Sequence, residues 1–264
     1  MTNIGLSTSP TSKRFGVAYA FTSVIILLLP RPRPLAWIAA AGLGLYQVIL
    51  LCGNGFEASH ANVIYQIDAA IFGESHMYTE WVGNGHLVFD PEGLASTLPC
   101  LSHVLIGYLA GALLRRHESI ETRLLQLAVS GIVLLLAGCL LSYGCPVIKK
   151  VWTPSFVLIT CGASTLALTL ISYLTDVRHH THWASFFRDY GMNPLFLYIV
   201  AEVGAVLIYF IRIGHHSLGA WAYQGVHALI ADDKFSSLIF AVCYVLLLGL
   251  LAIFLHRKRI FIKL

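Results

Sequence analysis

The sequence predicts an all-α integral membrane protein, a polytopic bundle of about seven transmembrane helices with one long extracytoplasmic loop. Three observations carry that expectation. Only 11% of the 264 residues are charged, where a soluble domain has roughly a quarter, and mean hydropathy is +0.75. Apolar runs recur at the length needed to cross a hydrocarbon core about 30 Å thick. The runs are continuous rather than alternating with period two, which argues against a β-barrel.

In order, the runs cover 15–30, 35–52, 97–114, 123–144, 155–175, 193–212 and 236–256. The first is the shortest. "PRPRPL" follows it as a stiff turn, because proline fixes φ and removes a backbone donor. The stretch 53–96 is the long loop, and "ANVIYQIDAAIFG" (61–73) within it has apolar residues at helical spacing, predicting an interfacial helix. Gly107 and Gly111 in "GYLAG" have the spacing that lets helices approach closely. Residues 176–190 read as a basic loop whose Trp183, Phe186, Phe187 and Tyr190 anchor at headgroup level. Its "HHTH" fits a solvated loop better than a metal site. Residues 213–235, with "GHHSLGAWAY", read as a short interfacial segment. The whole reads as a single membrane domain (1–264) without an internal repeat.

Charge placement sets the topology. No Lys or Arg lies between Arg33 and Arg115, whereas Glu57, Asp68, Glu74, Glu80, Asp90 and Glu92 do. Such an acidic loop belongs outside the cytoplasm, which places Arg31, Arg33, Arg115, Arg116, Arg123 and the basic C-terminus inside. The C-terminus is then cytoplasmic and the N-terminus extracytoplasmic, in a bacterial inner membrane. The net charge of +4 therefore reports topology, not a nucleic-acid partner. "MTNIGLSTSPTSKRFGVAYA" has no signal-peptide pattern. The six cysteines show no C-x-x-C spacing and read as apolar packing residues, with a pairing among Cys52, Cys100 and Cys145 the lesser alternative.

Polar groups at membrane depth are costly, so each is a functional candidate. Glu202 in the sixth run is balanced between function and a structural hydrogen bond, and His103 reads more readily as a satisfied packing histidine. In "FDPEGLASTLP" (89–99) Pro91 disfavours a helical backbone at Asp90, and Glu92–Gly93 follow as a turn. Two carboxylates held there at the membrane surface suit hydrogen bonding to a sugar or amine, or the orientation of a base. A plain helix cap by Asp90, with Pro91 and Glu92 in the first turn, is the stronger local alternative. "CPVIKKVWTPSF" (145–156) brings Lys149, Lys150, Trp152 and Thr153 to the same side, and "YGMNPLFLY" places Asn193 at the start of the sixth run, on the other side.

"DPEGLASTLP", "GYLAG", "P-x-x-K-x-x-WTPSFVL" and "GMNPLFLY", in that order, resemble the heparan-α-glucosaminide N-acetyltransferase family, including its bacterial NagX-type members. "RFGVAYAF" and "NVIYQIDAAIFGESHMY" fit the same register, so the resemblance spans nearly the whole chain. It implies transfer of acetyl from cytoplasmic acetyl-CoA, as co-substrate and without a metal, to the amine of a glucosamine-type acceptor across the membrane. Asp90, Glu92 and the nearby His76 then match the acidic outer motif as catalytic candidates. Lys149, Trp152 and Thr153 match the second outer motif, and Asn193 the polar start of the later span, as substrate-binding candidates. The family's leading spans, with their Asp-x-x-Arg-Gly opening and a histidine, do not appear here. The resemblance therefore implies a truncated, separately encoded or shortened form, with a homodimer or an N-terminal half as the expected protein partner beside the lipid bilayer. In such a form His60, His76 or His86 would supply the base. The alternative function is a non-catalytic amino-sugar permease or its structural subunit, with Glu202 on the path.

Overall fold

The computed structural model describes residues 11–264 except 58, 74–76, 78, 83–84, 89–92, 215, 231 and 263–264. The side chains at 11–15, 79–82, 85–88, 213 and 230 also lie outside the description. The chain divides into two compact units, one ending at Val177 and the other beginning at Arg178.

The first unit runs α1 (Thr11–Leu28), α2 (Pro32–Cys52), α3 (Val63–Phe72), an antiparallel hairpin of β1 (Thr79–Val82) and β2 (Gly85–Val88), α4 (Thr97–Leu114), α5 (Ile120–Leu141) and α6 (Pro154–Ser172). A π-helical turn, Tyr173–Val177, continues α6. Local chemistry sets these starts. Prolines occupy the first turn of α2 and α6, where the missing N–H has no intrahelical partner to lose. Asn62 caps α3 by accepting from the Ile64 amide, and Ser119 caps α5 by accepting from that of Thr122.

The second unit runs α7 (Ala184–Gly191), α8 (Pro194–Phe210), a two-residue hairpin of β3 (Arg212–Ile213) and β4 (His216–Ser217), α9 (Leu218–Ile230) and α10 (Asp233–Arg257). Asp232 caps α10 through the Phe235 amide. The stretch read as a basic loop thus contains a helix, α7, in which Phe186 lies against Gly249 of α10. Residues 213–235, expected as a short interfacial segment, contain the end of this hairpin and the helix α9.

The architecture is all-α and polytopic. Among the described residues α2, α4, α5, α6 with its π-turn, and α10 are long and apolar enough to cross a membrane. A sixth span arises if α7 and α8, bent by 84°, count as one. For the expected first span, the apolar part of α1, Gly16–Leu28, is shorter than the others. At 1.5 Å per residue it reaches only about 20 Å.

The glycine reading needs correction. A Cβ on Gly107 or Gly111 would meet nothing within 4 Å. Close approach instead joins α5 and α6. A Cβ on Gly162 would lie 2.5 Å from the Leu135 nitrogen, and one on Gly138 2.8 Å from the Ile159 nitrogen. With no interhelical hydrophobic drive in lipid, such backbone-to-backbone packing is what holds two helices together. All six cysteines are free thiols, three of them buried.

Two apolar clusters organise the loop-bearing end of the first unit. One gathers Tyr46, Leu50, Ile64, Tyr65, Met77 and Val151, with Ala95, Leu98 and Ile148 packed on it. The other gathers Ala18, Leu43, Cys100, Trp152, Val157 and Cys161.

Candidate functional site

The long loop and the lysine-bearing turn meet at one end of the first unit. α2 ends there and α4 begins there, so the connections α2–α4 and α5–α6 emerge together. The shared apolar cluster shows it directly: Ala95 and Leu98 follow the acidic motif, Ile148 and Val151 flank the lysines, and both pairs pack with α3.

The loop is tied down from its start. Asn62 donates through Nδ2 to the Gly55 and Glu57 carbonyls at 3.1 and 2.8 Å, while its Oδ1 caps α3. One side chain thus satisfies three backbone groups, which explains a fully buried asparagine. α3 then turns Ile64, Tyr65 and Asp68 inward. Asp68 is 1% exposed and accepts the Ala95 amide at Oδ1, 3.2 Å away. Gly93 permits this: a Cβ there would sit 1.7 Å from Asp68 Oδ2. Ser96 Oγ closes the turn on the Gly93 carbonyl at 2.8 Å. A buried carboxylate therefore fixes the chain immediately after the acidic motif.

The second turn is locked as firmly. Thr153, fully buried, accepts the Ile148 amide at Oγ1 (3.1 Å) and returns its own amide to the Ile148 carbonyl (3.2 Å). Ser155 Oγ donates to the Pro146 carbonyl at 3.2 Å. Tyr46 on α2 donates its hydroxyl to the Val151 carbonyl at 2.6 Å, across 105 residues of sequence. Within this frame Trp152 adopts φ +59°. A bulky residue there is strained by about 1–3 kcal/mol, so the surrounding bonds must over-determine it. The strain divides the turn, with Lys149 and Lys150 exposed and the indole directed into the core.

Trp152 stands beside a histidine. Its ring lies 5.9 Å from that of His103 and 5.2 Å from that of Phe156. His103 Nδ1 is buried and has no hydrogen-bond partner among the described residues. His103 thus packs as expected, against Trp152, but its Nδ1 is not satisfied among the described residues. A ring nitrogen with no partner is a group that can accept or pass a proton.

The expected site residues divide into three groups. Lys149, Trp152 and Thr153 come together in one turn. Asp90, Glu92 and His76 lie outside the described residues, as does the side chain of His86. Asn193 lies in the second unit, where it donates from Nδ2 to the Ile260 carbonyl (3.0 Å) and accepts the Ile262 amide (2.7 Å). Its visible work is to hold the C-terminal segment. His60 is exposed, its ring edge-on to Tyr65 at 4.8 Å. Glu202 is exposed and has no partner among the described residues, so the structural hydrogen bond weighed for it is not made there.

Sequence reasoning passed over Asp68 and Tyr46. Asp68 lies four residues after Ile64, on the apolar stripe of a predicted helix, and an acid on a buried stripe is itself a signal. Tyr46 carried no such mark, because a tyrosine in an apolar span reads as packing. No protein-family model matches the chain, and no curated protein matches it either.

Proposed function

We propose that this chain serves acyl transfer at a bacterial inner membrane, moving acetyl from acetyl-CoA to the amine of a glucosamine-type acceptor. One observation carries the reading: the loop after the acidic motif and the turn bearing Lys149 and Lys150 pack into a single apolar cluster, with His103 and Trp152 beneath. In this reading the acceptor binds on the extracytoplasmic side, opposite the cytoplasmic C-terminus. Asp90 or Glu92 orients the amine, and Lys149 offsets the negative charge of the acyl or phosphate groups. The neutral amine nitrogen attacks the thioester carbonyl, a C–N bond forms, the C–S bond breaks with CoA leaving as its thiolate, and His103 receives the proton that the nitrogen sheds. The sequence pattern favours the same family, and a homodimer or a separately encoded half remains part of the proposal. A permease using Glu202 draws no support from a carboxylate exposed on α8.

The test is acetyl transfer from labelled acetyl-CoA to glucosamine by the purified protein in liposomes. Expected is N-acetylglucosamine formation that Asp90→Asn, Glu92→Gln or His103→Gln reduces by about 10²-fold or more, the scale of general acid–base catalysis. Sugar uptake without acetyl-CoA, or transfer unaffected by all three substitutions, overturns the reading.

A further inference from the structure

At the arginine-bearing end of the first unit, two cavities share walls. One, of 490 Å³, is bordered by Arg33, Tyr108 and Arg116 together with Pro30 and Pro32. The other, of 320 Å³, is a slot between α2, α4, α5 and α6 that reaches Leu43, Leu134 and Leu158. Ala36, Leu109 and Leu113 line both, so basic mouth and apolar slot adjoin each other.

The slot exists because small side chains, Ala36, Ala39, Ala40 and Ala110, stand where larger ones would fill the space. Its Ser130 hydroxyl is already spent on the Leu127 carbonyl at 2.9 Å, which leaves Thr165 as the other polar side chain in a mainly apolar wall. The slot is half open to the helix surface, with Ala36 and Ala40 exposed on its α2 wall. From Ala36 to Leu43 the slot follows α2 for about 10 Å, at 1.5 Å per residue. That shape takes an alkyl chain, held by dispersion because a chain leaving lipid gains nothing from water.

The mouth selects the head. No acidic side chain pairs with Arg33 among the described residues, and prolines on either side stiffen its backbone. Arg116 donates to Gln126 Oε1 at 3.3 Å and stands 3.9 Å from Glu118, yet its side chain stays 47% exposed. A guanidinium has five donors, so this leaves several for a phosphate. Basic pockets between spans at the cytoplasmic surface have the chemistry for anionic headgroups.

We infer that these adjoining pockets hold one anionic phospholipid, its phosphate between Arg33 and Arg116 and an acyl chain in the slot lined by Ala36, Ala40 and Leu43. The headgroup mouth is separate from the acyl-transfer reading, since it lies at the far end of α2 from the lysine-bearing turn, while the inner end of the slot abuts the Trp152 cluster at Leu43, Leu134 and Leu158.

The experiment is native mass spectrometry of the detergent-purified chain, titrated with phosphatidylglycerol or with phosphatidylcholine of the same acyl chains. Expected is retention of a single phosphatidylglycerol in preference to phosphatidylcholine. Arg33→Gln and Arg116→Gln should each weaken it about fivefold, and Ala40→Leu, which fills the slot, should weaken it as well. Arg115→Gln, outside the cavity, should leave it unchanged. Equal retention of the two lipids overturns the inference, and so does equal loss in Arg115→Gln. Displacement by millimolar glycerol phosphate or free CoA also overturns it, because it would make the mouth a site for soluble phosphates. The lipid preference is read on wild-type protein, so a variant that fails to fold does not shelter the proposal.

Discussion

Replacing Gly93 by alanine tests the anchoring of the acidic motif. The new methyl would lie 1.7 Å from Asp68 Oδ2 and 2.3 Å from Cγ, against about 3.5–4 Å for an ordinary contact. Asp68 is 1% exposed, so its carboxylate has no free space to retreat into. Rotating it away breaks the 3.2 Å bond from the Ala95 amide. A hydrogen bond to a charged group contributes about 1.5–3 kcal/mol. The loss of unfolded-state freedom on Gly→Ala offsets only about 0.4–1 kcal/mol. Gly93→Ala should therefore destabilise by about 2 kcal/mol, and Asp68→Ala, which removes the same bond, by a similar amount. In the double variant the shortened side chain makes room for the methyl, so the total should stay near 2 kcal/mol instead of doubling. Unfolding of the four proteins in one detergent measures this cycle. Additive losses, or a neutral Gly93→Ala, would refute the idea that Asp68 fills the space above Gly93.

Gly162→Ala drives a methyl against the Leu135 backbone and should cost about 1–3 kcal/mol as overpacking. Gly111→Ala, with open space around it, should instead gain up to about 1 kcal/mol of helix propensity, and melting temperatures of the two compare them. Tyr46→Phe strands the Val151 carbonyl, at about 1–3 kcal/mol, and hydrogen exchange should rise selectively across 148–153. Asn193→Ala releases the Ile260 carbonyl and Ile262 amide, so limited trypsin should cleave after Lys258 or Arg259 faster than in wild type, with unchanged rates at Arg115 and Arg116.

Much of the fold was legible because the bilayer imposes a simple rule: long apolar runs must satisfy their own backbone, and only helices do so within one segment. α2, α4, α5, α6 and α10 follow from that rule, as does α3 from its apolar stripe. α7 was not legible, since its apolar face of Phe186 and Tyr190 sits among histidines and arginines that look like a solvated loop. Glycine spacing misled for a related reason. "GYLAG" has the right interval, but only the neighbouring helix decides which glycines are approached, and α6 packs on Gly131 and Gly138 of α5. At the candidate site the turn of Lys149, Trp152 and Thr153 was visible from its prolines and polar groups. The positive φ of Trp152, the buried Asp68 and the uncommitted nitrogen of His103 depend on contacts 27 to 105 residues away or across helices, which no local pattern encodes.

Labelling sidedness tests the central claim most directly. Single cysteines placed at Glu57, Lys149 and Glu118, all exposed, in a cysteine-free chain would be treated in intact cells with a membrane-impermeant maleimide. The account predicts that positions 57 and 149 react alike while 118 reacts only after permeabilisation. Reaction of 149 together with 118, and not with 57, would separate the lysine turn from the loop and contradict it.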